Sequence, residues 1–182
     1  MSTGEPAISV GQVVPENICL PDLQGHTHCV SDWRGHIVVL VFWSAECPVS
    51  REYDEHYFIP RYPSWKEDGI LLFGVDSNVH YDVAKIQAEV AARGTPYPIL
   101  RDEGHRVADL LGAQTTPHVF LLDREGRLVY VGAVDDRTFR KKVATRVYLD
   151  EALAAVKAGR RPEPATTPPY GCTIVRSAAY EH

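Results

Sequence analysis

His36-Ile37-Val38-Val39-Leu40-Val41-Phe42-Trp43-Ser44-Ala45-Glu46-Cys47-Pro48-Val49-Ser50-Arg51-Glu52-Tyr53 runs from a nearly unbroken apolar segment into a helical pattern, with one cysteine at the junction. The apolar half reads as a strand. Pro48 fits the first helical turn, where its missing N–H costs nothing and its fixed φ suits the helix. Cys47 therefore stands at a strand-to-helix junction. The unpaired N–H groups of a helix start and its partial positive charge favour thiolate over thiol there, and a cysteine so placed becomes a nucleophile near neutral pH. Glu46 opposes thiolate formation through its charge and Arg51 favours it, so the sign of the net shift stays open. A buried structural cysteine is the competing reading.

Working outward, Glu16 to Leu23 reads as a short extended segment, and Gln24 to Val30 as a turn returning into a second short strand. Ser31 to Gly35 punctuates before the apolar strand. After Cys47 a helix should run to about Tyr57, with Pro60 and Pro63 forcing a kink or break before a second piece ending near Gly69. Ile70 to Asp76 is apolar enough for a central strand. Val83, Ile86, Gln87 and Val90 recur at helical spacing between Tyr81 and Arg93, and Gly94 ends that helix. Pro98 to Leu100 is a short strand, and Gly104 to Leu111 a further helix stopped by Gly112. Val119 to Asp123 and Leu128 to Val131 read as a hairpin, and Val147 to Ala158 as a last helix with Leu149, Leu153 and Val156 on one face. Strands alternating with helices, then a hairpin and a helix, imply a three-layer sheet fold.

The 182 residues suit one domain over 1–159 with a Pro-rich tail over 160–182. A net charge of −5 excludes a dominant nucleic-acid role. The local cluster Arg137, Arg140, Lys141, Lys142 and Arg146 reads as a solvated loop or helix face. Met1 to Val10 lacks a basic opening and an apolar core, and no later run is long enough to span a membrane, so a cytoplasmic setting is expected. Cys19, Cys29, Cys47 and Cys172 show no C-x-x-C spacing, which signals neither a zinc ribbon nor a secreted disulfide framework; they read as individuals. Arg160 to Pro169 cannot continue a helix and should act as an extended spacer. It delivers Tyr170-Gly171-Cys172-Thr173-Ile174-Val175, whose apolar pair Ile174 and Val175 is expected to dock on the body.

Three motifs carry a resemblance: Leu20-Pro21-Asp22 leading to Asp32-Trp33-Arg34-Gly35, then Phe42 to Ser50, then Thr116-Pro117-His118-Val119-Phe120-Leu121-Leu122-Asp123. In this order, over roughly Asn17 to Gly159, the chain resembles the redoxin (AhpC/TSA-like) branch of the thioredoxin-like superfamily. The resemblance implies an α/β fold, a thioredoxin-like three-layer α/β/α sandwich with a central mixed sheet and an N-terminal β-hairpin extension. It implies Cys47 at the nucleophile position and a cis Pro117 opposite it. Trp43, Ser44, Glu46, Pro48, Ser50 and Thr116 are then expected to line the substrate groove with Pro117. Gly132 to Asp136 and Gly171-Cys172 resemble further features of relatives, which makes Cys172 a candidate resolving thiol.

Departures from the family patterns divide the functional readings. Serine at position 50, where a dithiol enzyme has cysteine, cannot expel a mixed disulfide, so resolution needs Cys172 or an external thiol. A peroxiredoxin has proline seven residues before the cysteine, Thr or Ser three before it, and a distant arginine; here those positions hold Leu40, Ser44 and Pro117. The leading reading is a thiol–disulfide oxidoreductase that attacks disulfides through a mixed disulfide on Cys47. A thiol peroxidase passing through a Cys47 sulfenic acid is the second. The third is a non-catalytic module holding a partner, or copper or zinc, through Cys47 and His118. His26 and His28 share a face near Cys29, which turn composition accounts for. No cofactor is implied and no metal is assigned. The implied partners are a disulfide-containing protein or a small-molecule thiol or peroxide, and an external thiol reductant, with neither nucleic acid nor membrane.

Overall fold

The computed structural model describes residues 6–79 and 82–176. A hairpin of β1 (Cys19–Pro21) and β2 (Thr27–Cys29) precedes a 3-10 turn over Val30–Trp33 and the buried strand β3 (Val38–Phe42). Next come α1 (Pro48–Tyr53), α2 (Ile59–Glu67), β4 (Leu71–Asp76), α3 (Val83–Arg93), β5 (Ile99–Arg101) and α4 (Arg106–Leu111). The chain then forms β6 (Thr115–Thr116), β7 (Val119–Leu122), β8 (Leu128–Gly132), α5 (Tyr148–Lys157) and β9 (Cys172–Thr173). Tyr81, the expected start of α3, lies outside the described residues, as do 177–182 of the tail.

The five-stranded sheet has the order β5-β4-β3-β7-β8. β3 pairs in parallel with β4 and antiparallel with β7, so β3 holds the centre of the sheet, and β4, the strand expected there, lies one place away between β3 and β5. Alternate residues of β3 serve two cores. Val39, Val41 and Trp43 pack with Tyr53, Phe58, Trp65, Ile86 and Leu153 under α1, α2, α3 and α5. Val38, Leu40 and Phe42 face the other side, against Trp33 and Leu20 of the N-terminal segment and Val107 and Leu111 of α4. This is the mixed sheet and N-terminal hairpin that the resemblance implied. No helix among the described residues is long and apolar enough to cross a membrane.

Three readings are corrected. The helix after Cys47 does not break at the prolines: Asp54–Phe58 is a π-helical turn joining α1 to α2, in which Ile59 N–H donates to Asp54 O. The wider turn precedes Pro60, so the missing proline N–H falls where the ladder is already out of α register. The Pro-rich tail is extended but not a free spacer: Val131 N–H donates to Ala165 O at 3.0 Å and Thr167 N–H to Val131 O at 3.0 Å, alongside β8. The cysteines are not individuals. Cys19 and Cys29 are register partners of the hairpin, 4.0 Å apart at Cα, and form a disulfide; Cys47 and Cys172 form the other. Both pairings are set by strand register, which spacing along the chain does not display.

Candidate active site

Cys47 caps α1, with extended backbone (φ −78°, ψ 119°) and Pro48 in the first turn. Its Sγ accepts the Ser50 N–H at 3.3 Å. That interaction favours a thiolate, whereas Thr116 O, 3.2 Å from Sγ, disfavours one and offers the neutral thiol an acceptor. The Thr116–Pro117 bond is cis, as the resemblance implied. Cys47 is buried, 5% exposed, beneath the returning tail.

The tail reaches it by strand pairing. β9 lies antiparallel to β6, with Thr116 opposite Cys172 and Thr115 opposite Thr173. Ile174 N–H donates to Gln114 O at 3.0 Å, Val175 N–H to Asn78 Oδ1 at 2.9 Å, and Val79 N–H to Val175 O at 3.1 Å. Ile174 is 3% exposed within the core beneath α4, so the expected docking of this apolar residue is present. A Cβ on Gly171 would stand 2.6 Å from the Thr116 carbonyl carbon, so only glycine allows this approach.

The expected groove residues divide. Thr116, Pro117, Ser50 and Cys172 meet at Cys47. Ser50 is buried, and its Oγ accepts the Ser44 N–H at 3.1 Å, which ties the loop to α1. Pro48 is exposed. Glu46 is exposed and paired with Lys85. Arg51 pairs with Glu55 and Glu89, each at 3.7 Å. Trp43 lies under the loop, 1% exposed, and donates Nε1–H to Asp54 Oδ2 at 3.1 Å.

Asp54 anchors a network that the sequence reading missed. It also accepts from Thr95 Oγ1 at 2.7 Å and from the Tyr97 hydroxyl, and Arg93 Nη1 lies 3.6 Å away. Burial and the neighbouring carboxylate push the Tyr97 hydroxyl well above its ordinary range, so it remains a donor. The Arg93 guanidinium sits 4.4 Å from the Trp43 ring and donates to Ser44 O at 2.5 Å and Ala45 O at 3.3 Å. This acid rises from the helix side, from the turn that follows α1, and not from β3. The only trace in sequence is an aspartate among aromatics at 53–58.

On the opposite flank Tyr53 donates its hydroxyl to Asp135 at 2.6 Å, and Arg137 lies 4.3 Å over its ring. Tyr170, two residues before Cys172, meets Tyr53 at 6.3 Å between ring centroids. His118 is 3% exposed, and its Nδ1 accepts the Gln114 N–H at 3.1 Å. Burial lowers its pKa to about 4, so the ring is neutral at pH 7. Among the described residues no three His, Cys, Asp or Glu side chains gather as a metal site.

Fold and site together define a thioredoxin-like protein in which Cys47 is joined to Cys172 across 125 residues of sequence. It belongs to the AhpC/TSA family, whose model matches residues 10–131. The chain is 32% identical over 127 residues, 69% of its length and 70% of the relative's, to "Thiol-disulfide oxidoreductase ResA" of Geobacillus kaustophilus (strain HTA426). The crystal structure of hypothetical protein SMc02350 from Sinorhizobium meliloti 1021 is similar, with a TM-score of 0.82 and 30% identity, covering 94% of this chain and 96% of that one. Peroxidoxin BcpB from Mycobacterium tuberculosis shares the fold at a TM-score of 0.65 and 22% identity, over 84% of this chain and 99% of that one.

Proposed function

We propose that the protein is a thiol–disulfide oxidoreductase in which Cys47 is the nucleophile and Cys172 the resolving thiol. The observation that carries this reading is the Cys47–Cys172 bond at a helix start beside the cis Thr116–Pro117 loop. The similarity to proteins named thiol-disulfide oxidoreductase supports it.

In the reduced protein the Cys47 thiolate attacks one sulfur of a substrate disulfide. The substrate S–S bond breaks, a Cys47–substrate bond forms, and the displaced thiolate takes a proton from solvent. The Cys172 thiol, deprotonated in turn, attacks Cys47 Sγ and expels the second substrate sulfur. Two electrons have passed to the substrate, and an external dithiol restores the reduced pair. Run backwards, the same steps oxidise a dithiol. Ser50 N–H holds charge on Cys47, and Arg93 fixes the 44–45 backbone from beneath.

The peroxidase reading lacks its cation. Pro117 stands where that family's arginine is expected, and Arg93 is directed at Ser44 O, Ala45 O and Glu89. The metal-binding reading is weakened by the engaged Nδ1 of His118. The test treats reduced protein with one equivalent of oxidised glutathione or, separately, hydrogen peroxide, then traps thiols by alkylation for mass spectrometry. A transient glutathione adduct on Cys47 that converts to the Cys47–Cys172 bond is expected. Inertness to the disulfide, together with a Cys47 sulfenic acid within seconds of peroxide addition, would refute the reading.

We also propose an oxidising compartment in place of the cytoplasmic one. Cys19–Cys29 lies outside the exchanging pair, and such structural disulfides persist in oxidising surroundings. Alkylating intact cells before lysis should leave both hairpin cysteines unlabelled.

A further inference from the structure

The basic cluster at 137–146, read from sequence as a solvated face, lies in the connection between β8 and α5 and beyond the residues the family model matches. Its base is closed by Asp136: the N–H donates to Arg146 O at 3.1 Å, and the carboxylate accepts from Thr145 N–H at 2.8 Å and Lys141 Nζ at 2.7 Å. Thr138 Oγ1 accepts from Arg140 N–H at 3.2 Å and Lys141 N–H at 3.0 Å. A loop knitted in this way presents its tip in one conformation. That tip carries Phe139, 65% exposed, and Val143, 75% exposed, the most exposed large apolar side chains among the described residues. Arg140 and Lys142 beside them have no side-chain ion pair or hydrogen bond among the described residues.

The loop also packs on the tail that carries Cys172. The Phe139 ring meets Tyr170 at 4.8 Å between centroids, and Tyr170 is two residues from Cys172. Exposed apolar groups flanked by two cations without partners among the described residues, on a loop packed against Tyr170, match a protein surface with apolar and acidic residues beside its own cysteines. The local charge, five basic residues against two acidic over 135–146, runs opposite to the chain's net −5.

We propose that the 139–143 tip is the recognition element for the protein that exchanges with Cys47–Cys172, and that this partner is acidic and apolar around its reactive cysteines. The proposal rests on the oxidoreductase reading. In the exchange the partner's two thiols become a disulfide, while the Cys47–Cys172 bond takes up two electrons and two protons to become two thiols.

The probes are two dithiol peptides, their cysteines flanked by Leu and Glu or by Leu and Lys, reacted with the oxidised protein; cyclised peptide is measured by chromatography. The variant is R140E/K142E, which keeps Phe139, with dithiothreitol as a small reductant. The ratio of wild-type to variant rates for each peptide cancels the peptides' different thiol acidities. For the Glu peptide the variant should be at least tenfold slower, the difference shrinking at high salt. It should be no slower for the Lys peptide or dithiothreitol. Equal ratios for both peptides, with dithiothreitol exchange intact, would overturn the loop's role alone. A variant slowed with all three reductants would assign the loop to site integrity and equally overturn it. Salt-sensitive binding of wild type to anionic phosphatidylserine vesicles, lost in the variant and without peptide selectivity, would reassign the tip to a membrane surface. No exchange of wild type with dithiothreitol would instead bring down the oxidoreductase reading itself.

Discussion

Cys172 stands directly opposite Thr116 in the β6–β9 ladder, and Thr116 O lies 3.2 Å from the sulfur of Cys47. One backbone pairing therefore sets the distance between two thiols 125 residues apart. Gly171 permits this arrangement, because a side chain there would meet the Thr116 carbonyl. Gly171→Val should displace the tail and slow formation of the Cys47–Cys172 bond from the reduced protein at least tenfold. Peptide mapping after timed oxidation measures it, and a wild-type rate would show that the register does not control the pairing.

Arg93 and Asp54 form a buried charged pair under the active-site loop, with side-chain exposures of 0% and 1%. Removing one partner leaves the other charged and unpaired in the interior, at a cost of about 3–5 kcal/mol. Arg93→Ala should lower stability to urea by about that amount. Arg93→Lys keeps the charge but lacks the planar fork that reaches two carbonyls and two carboxylates, so an intermediate loss is expected. An Arg93→Ala variant within about 1 kcal/mol of wild type would mean that the pair is not held as a charged unit.

Where a single local pattern suffices, the chain is legible. The nearly unbroken apolar run at β4 announces a strand interior to the sheet, and Cys47 with Pro48 announces a helix start at the end of β3. Ile174 announces a docked tail, because an apolar β-branched residue after a Pro-rich segment has no reason to stay in water. Features that depend on two distant segments are not legible. Cys19 and Cys29 pair only once the hairpin register is known. Asp54 acquires its meaning from Trp43, Thr95, Tyr97 and Arg93, four side chains on two distant segments. In sequence Arg93 is merely a last-turn arginine before the left-handed Gly94 (φ 70°). The π turn at Asp54–Phe58 is hidden for a related reason: the prolines show that the ladder must be interrupted, but not that a wider turn can absorb the interruption.

The Cys19–Cys29 bond closes a short loop, with a sequence separation of 10. Loop-closure entropy for such a ring corresponds to about 2–3 kcal/mol. The C19S/C29S variant should lose about that much stability, because the hairpin also holds Leu20 in the core. Its rate of exchange at Cys47 should not change, since the two disulfides share no residue. A loss of exchange equal to that of Cys47→Ser would place the hairpin disulfide in the reaction path instead.

Two buried groups pull stability in opposite directions as pH changes. Burial holds His118 at about 4, below its ordinary 6.5, so between those values the unfolded chain binds a proton that the native one does not, and stability falls as pH falls. Burial raises Asp76 from 3.8 to about 6, ahead of the opposing Asn78 N–H and Arg101 contributions. Over that window the native state binds the extra proton, and stability falls as pH rises. Each contribution amounts to about 3 kcal/mol at about 1.4 kcal/mol per pH unit, so between pH 4 and 6 they nearly cancel. Asp76→Asn should therefore expose the histidine: relative to wild type, the variant loses about 3 kcal/mol more on going from pH 6.5 to 4. His118→Gln should do the reverse and gain stability relative to wild type over the same fall. Urea midpoints at half-unit pH steps decide it. Parallel pH profiles for all three proteins would show that neither group titrates as its burial requires.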